Sequence, residues 1–132
     1  MIEVSGGYAG FVDESVIPHA TVGTALRWDL GRHVSVGPEL VFMKADHDID
    51  LFLTGKLVVD FMRTGPISPY FVADGGLMLH RPDFPLFWAK EGAFSVGGGA
   101  RIAISPRLFV APEMRIGWEP HIRITAIVGW RL

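Results

Sequence analysis

The sequence predicts an all-β protein, a single eight-stranded antiparallel up-and-down barrel of the transmembrane kind that takes up residues 1–132. Three observations predict it. Apolar residues recur at every second position almost throughout, the period of a strand with two unlike faces. Turn signals cut the chain into segments joined mostly by about two to five residues, and such short connections require antiparallel neighbours. One face carries bulky apolar side chains on strand after strand, while the other is small or charged.

Each strand can be justified in turn. The predicted limits are 2–12, 17–30, 33–44, 49–63, 69–80, 92–104, 107–118 and 121–132. The second has Ala20, Val22, Thr24, Leu26, Trp28 and Leu30 on one face and His19, Thr21, Gly23, Ala25, Arg27 and Asp29 on the other. The third sets Val34, Val36, Leu40 and Phe42 against Ser35, Gly37 and Glu39. The fourth sets Ile49, Leu51, Leu53, Leu57, Val59 and Phe61 against Asp50, Thr54, Lys56 and Asp60. The last alternates Ile122, Ile124, Ala126, Val128, Trp130 and Leu132 with Arg123, Thr125, Gly129 and Arg131. A helix would bring together residues three and four apart and so mix these charges with leucines. Eight antiparallel strands of this length close on themselves because closure removes the exposed edges.

Composition bounds the function. A chain of 132 residues supports one domain, and at 49% hydrophobic it is too apolar for disorder. Its 12 basic and 14 acidic residues nearly cancel, which argues against a nucleic-acid partner. It has no cysteine, hence neither a disulfide framework nor a thiolate metal site. No apolar run reaches the roughly 20 residues of a membrane helix. Met1 leads directly into the alternating Ile2-Glu3-Val4-Ser5, so no signal peptide is recognised. The chain reads either as a mature form with a start methionine or as a cytosolic protein.

Alternation alone fits a soluble barrel with an apolar interior and a membrane barrel with an apolar exterior. Side-chain size separates them. An eight-stranded barrel has an interior just wide enough to be filled by side chains, and the bulky face would overfill it. The other face has Ser35, Gly37, Thr54, Ser95, Gly97, Gly99, Ala103, Ala111, Thr125 and Gly129, too few charges for a water-facing surface. Lys44 and Arg63 lie at strand ends, where they can reach a headgroup region. Tyr8, Trp28, Trp118 and Trp130 are expected as interface aromatics, with Phe42, Phe61 and Phe71 on the same face.

At this point the chain resembles a known family, the small eight-stranded outer-membrane barrels of Gram-negative bacteria of the outer-membrane protein A and X type. The resemblance covers the whole chain. It rests on the eight-strand alternation, on Ser68-Pro69-Tyr70-Phe71-Val72-Ala73-Asp74-Gly75-Gly76, and on the final Ile127-Val128-Gly129-Trp130-Arg131-Leu132. It implies a monomer in the bacterial outer membrane, contacts with membrane lipid or detergent, and delivery by the barrel-insertion machinery. The family's terminal aromatic falls here at Trp130, two residues before Leu132. The resemblance also implies periplasmic termini and outer loops at 13–16, 45–48, 81–91 and 119–120. In the longest of these, Phe84, Phe87 and Trp88 are expected to cap the barrel or touch lipid.

Residues 23–39 align without a gap with 97–113, with Gly23, Arg27, Val36, Pro38 and Glu39 matching Gly97, Arg101, Val110, Pro112 and Glu113. Duplication of a four-stranded half and convergence on one hairpin template both explain the echo. Across a hairpin the matched charges fall within reach, so the pairs Arg27–Glu39 and Arg101–Glu113 are expected. Further lumen charges are Glu3, Lys56, Asp60, Asp74, Arg115 and Arg123, which brings acids and bases into balance. Balanced charge fits a plug, whereas a lining of one sign would fit an ion path. Pro38 and Pro112 cannot donate to the sheet, so a bulge or a missing hydrogen bond is expected at each.

Signals of chemistry are sparse. The run Asp46-His47-Asp48-Ile49-Asp50 has the oxygen ligands of a weak cation site but also reads as a solvated loop. Gly97-Gly98-Gly99 lacks the lysine and following helix of a phosphate loop. Ser95 has no histidine near it in sequence. The expected role is therefore structural, without catalysis, metal or cofactor. The rival readings are a soluble barrel binding an apolar small ligand, a lipid-modifying enzyme, and a narrow pore.

Overall fold

The computed structural model describes the backbone of all residues except 13–15, 45–47, 63–64, 83–88 and 118–120. It describes the side chains of all except 11–18, 45–48, 63–64, 80–91 and 118–120. Nine strand segments form the wall: β1 (Ile2–Val12), β2 (Val16–Leu26), β3 (Trp28–Asp29), β4 (Val34–Lys44), β5 (Asp48–Asp60), β6 (Ile67–Pro82), β7 (Ala89–Ala103), β8 (Leu108–Gly117) and β9 (His121–Trp130). β2 and β3 are one stave interrupted at Arg27, so the wall has eight staves. Every pairing is antiparallel between chain neighbours, and β1 pairs with β9 to close the barrel.

Strand limits differ from expectation by up to three residues at both ends of the wall. β6 extends to Pro82 and β7 begins at Ala89, so both ends of the expected loop 81–91 are strand. Phe84, Phe87, Trp88 and Trp118 lie outside the described residues. The other end carries the tight turns. Between β3 and β4, the Leu30 amide donates to the Val34 carbonyl at 2.9 Å. Between β7 and β8, the Ile104 and Ser105 amides donate to the Leu108 carbonyl, and the Ser105 hydroxyl accepts from the Leu108 amide. Gly65, with φ of 103°, supplies the left-handed residue of the turn before β6.

The two prolines break the wall without shifting it. β2 and β4 pair down to Ala25 opposite Glu39, and β3 and β4 resume at Trp28 opposite Val36. The rungs facing Pro38 and Gly37 are absent, yet the register is unchanged. β7 and β8 repeat this, pairing at Gly99 opposite Glu113 and again at Ile102 opposite Val110. The expected alternative of a bulge is therefore excluded, because no extra residue enters either strand. The Arg27 backbone turns to the other neighbour, donating to the Met1 carbonyl at 2.9 Å. The sequence echo is thus also an echo in hydrogen bonding.

Side chains alternate as a membrane-type barrel requires. Along β9, Ile122, Ile124, Ala126, Val128 and Trp130 face outward, while His121, Arg123, Thr125, Ile127 and Gly129 are buried within. The outward face is exposed and apolar on every stave, including Val22, Leu53, Leu77, Phe94, Ile116 and Ile124.

The interior corrects one expectation. It is not lined only by small and charged residues. Two apolar clusters occupy it, one of Ala9, Val41, Met43, Phe52, Met78 and Ala93, and one of Val58, Tyr70, Val72, Phe109, Ala111 and Ile127. The larger rings fit because they lie over cross-strand glycines. Phe109 is paired with Gly129 and Tyr70 with Gly99, and a Cβ at either glycine would collide with the ring. Ring over glycine is a way to pin register while filling a narrow barrel.

This packing predicts a contrast between two glycines. Gly129→Val should destabilise the barrel by about 1–3 kcal/mol, since Phe109 has nowhere to go. Gly31→Ala, in a turn with open space around it, should stay within about 0.5 kcal/mol. Urea unfolding midpoints of the refolded variants check both.

Candidate functional site

The lumen between the two apolar clusters is the most chemically dense part of the molecule. Strand alternation directs Glu3 of β1, Glu39 of β4, Lys56 of β5, Asp74 of β6, Glu113 and Arg115 of β8, and Arg123 of β9 inward. Because these strands lie all round the barrel, the charges meet across its axis. Isolated burial of any one would be very costly, so each needs a partner.

Arg115 is the hub. Its Nη1 and Nη2 donate to Glu39 Oε1 and Oε2 at 2.6 and 2.8 Å, a fork-to-fork pair. Its Nε donates to Glu113 Oε1, and Nη1 also donates to Asp74 Oδ2. One guanidinium thus meets three carboxylates while only 2% exposed. Lys56 Nζ lies 2.9 Å from Glu3 Oε2, 3.3 Å from Glu39 Oε2 and 3.7 Å from Glu113 Oε2. Tyr70 donates its hydroxyl to Glu113 Oε2 at 2.7 Å. Arg123 Nη2 stands 3.4 Å from Glu39 and 3.8 Å from Asp74. The Ser95 hydroxyl donates to Asp74.

Toward the termini, Arg27 Nη2 pairs with Glu3 Oε1 at 2.7 Å and Nη1 donates to Ser35 Oγ at 3.3 Å. Arg101 Nη2 pairs with Asp60 Oδ1 at 2.7 Å, its guanidinium 5.0 Å above the Tyr70 ring and 5.6 Å above that of Phe109. The partners expected from hairpin geometry are therefore corrected. Arg27 goes to Glu3, Arg101 goes to Asp60, and Glu39 and Glu113 are both held by Arg115. The physical reason is curvature. In a narrow closed barrel a long side chain reaches the neighbouring hairpin, as Arg27 reaches Glu3 of β1, the second strand along, as Arg101 reaches Asp60 of β5, or the far wall, as Arg115 reaches Glu39 of β4.

The other end holds His19, Asp50 and His121, all buried. His19 Nε2 is 3.7 Å from Asp50 Oδ2. Asp50, the last residue of the run read as a weak cation site, faces the lumen from β5, as its place on the polar face predicts; Asp46, His47 and the side chain of Asp48 lie outside the described residues. Phe52 stacks obliquely on His121 at 6.0 Å. His121 and Ser95 line one narrow space, a neighbourhood that sequence distance concealed.

Little space remains. The void enclosed by Glu3, Glu39, Lys56, Glu113, Arg115 and Arg123 measures about 10 Å³, room for roughly one water. A wider vestibule of about 340 Å³ opens at the terminal end beside Met1, Asp29, Arg101, Arg131 and Leu132. On the outside, Tyr8, Trp28 and Trp130 are exposed at 71%, 58% and 49%. Trp28 and Trp130 stand with Phe61 around the terminal end of the wall.

No family model matches the sequence, and no curated protein sequence matches it. Solved structures do resemble the fold. Neisserial surface protein A superposes with a TM-score of 0.82 at 11% identity, covering 99% of this chain and 94% of that one. The N-terminal β-barrel domain of Pseudomonas aeruginosa OprF gives 0.65 at 12% identity, covering 98% and 95%. The outer membrane enzyme PagL gives 0.63 at 13% identity, covering 99% of each chain. At such identities the likeness is one of fold.

The hub predicts unequal costs for removing charge. Arg115→Met strands three carboxylates and should cost about 3–5 kcal/mol. Arg107→Met, in an exposed turn, should cost under about 0.5 kcal/mol. Adding Glu39→Gln to Arg115→Met should return part of the loss, which a double-mutant cycle in denaturant would measure.

Proposed function

We propose that this chain is an integral barrel of the bacterial outer membrane, a monomer whose plugged lumen makes it a structural or membrane-associated element without catalysis or cofactor. One observation carries the reading: the distribution of polarity is inverted relative to a soluble protein. Charged Glu3, Arg27, Lys56, Arg115 and Arg123 are buried, while large apolar side chains are exposed on every stave. In water such a continuous apolar exterior would aggregate, and in a bilayer it is the required surface. The fold likeness to outer-membrane barrels supports the same environment.

The rival readings find less support. A soluble carrier of apolar ligands needs an apolar cavity, and the central void is small and lined by charges. A pore needs a continuous wet path, whereas oppositely charged side chains interlock across the axis here. The lipid-modifying reading draws on the fold of an outer membrane enzyme. Fold alone does not carry chemistry. Lipid is the partner of the outer wall, and the insertion machinery is the partner during biogenesis.

Three outcomes are expected. Protein refolded in detergent should migrate differently boiled and unboiled on a denaturing gel, and a soluble folded monomer in plain buffer would contradict the reading. Planar bilayers containing the protein should show no single-channel steps. Leu53→Arg, at an exposed wall position, should lower stability in bilayers by about 2–4 kcal/mol, read from denaturant titration of folding into vesicles.

A further inference from the structure

The wall is not uniform where the prolines interrupt it. At the first seam, a groove of about 150 Å³ opens on the outer surface. Its sides are Thr24, Leu26, Leu40 and Leu53, with Pro38 between them. The cross-strand partner of Pro38 is Gly55, which adds no side chain to fill the dent. Ala25 and Glu39, whose side chains face the lumen, form the floor. An apolar space of about this size accepts a guest as large as benzene.

We propose that this groove seats a segment of one lipid acyl chain, making the Pro38 seam a preferred lipid-binding site on an otherwise generic wall. The proposal rests on the membrane reading above. The occupant follows from the lining and the surroundings. The groove is continuous with the exposed apolar exterior, and its walls are three leucines, so a flexible hydrocarbon chain matches both its shape and its chemistry.

The second seam acts as an internal control. Pro112 interrupts its ladder in the same way, but the positions matching Thr24 and Leu26 are Gly98 and Ala100. Its partner across the strand is Ala126 rather than glycine. The gap is repeated and Met114 and Ile124 stand where Leu40 and Leu53 do, but the opposite wall, given by Thr24 and Leu26 at the first seam, is missing.

The test uses the full chain in phosphatidylcholine vesicles doped with phosphatidylcholine carrying a diazirine on its acyl chain. After photolysis, adducts are mapped by peptide mass spectrometry. Adducts around Leu26, Pro38 to Leu40 and Leu53 should exceed those around Ala100 and Pro112 to Met114 several-fold. Thr24→Trp, which fills the groove, should abolish the excess while the barrel keeps its heat-dependent mobility. Ala100→Leu, which builds a wall at the second seam, should raise adducts there. Equal labelling of both seams overturns the proposal and leaves the membrane reading intact. A first seam unlabelled within a labelled exterior also overturns it, since another copy or side chain then occupies the groove. Absence of label from the whole exterior overturns the membrane reading itself.

Discussion

The interaction on which the rest of the structure depends is the capture of three carboxylates by Arg115 at the centre of a closed lumen. A barrel with its apolar side chains outward must keep every polar group it encloses satisfied from within. Arg115 does this for Glu39, Glu113 and Asp74, and Lys56 and Arg123 complete the shell. The staves that carry these groups lie around the whole circumference, so the network ties the wall together across its axis as well as along its hydrogen bonds. Among the described residues, the void left between these interlocked charges is only about 10 Å³.

The wall has its own internal logic. Two prolines, each followed by a glutamate that faces Arg115, interrupt corresponding ladders and leave the register untouched. Each break lies beside an arginine that faces inward, Arg27 or Arg101, and each arginine takes an acid from another strand. The residues and the break recur at the same offset, whereas the acids that take the two arginines, Glu3 and Asp60, do not. The two seams differ on one outer side, where Thr24 and Leu26 flank the first and Gly98 and Ala100 the second.

Much of this was legible in the chain. Alternation identified both faces, because a strand exposes its period directly, and residue size told which face could fit inside. The ten charges expected in the lumen, and Asp50 beyond them, follow from parity alone. What was not legible depends on closure. Pairing of Glu39 with a residue 76 positions away requires knowledge of stagger and curvature, which local patterns do not contain. Parity also turns Tyr70 and Phe109 inward, but the room for their rings was hidden, since each needs a glycine on the neighbouring strand at one register. His121 and Ser95, far apart in sequence, share a space only once the sheet is rolled. The bulge or gap at the prolines was undecidable locally, because only the rungs beyond them reveal that no residue was inserted.

The central claim is that charges line the inside and lipid meets the outside. The absence of native cysteine allows it to be tested along β9 by single cysteines bearing nitroxide labels in vesicles. Collision with oxygen, which concentrates in lipid, should be high at positions 122, 124, 126 and 128 and low at 121, 123, 125 and 127. A polar nickel reagent should gain no such access at the outward positions. The opposite phase, or equal access of the polar reagent to the outward positions, would contradict the account.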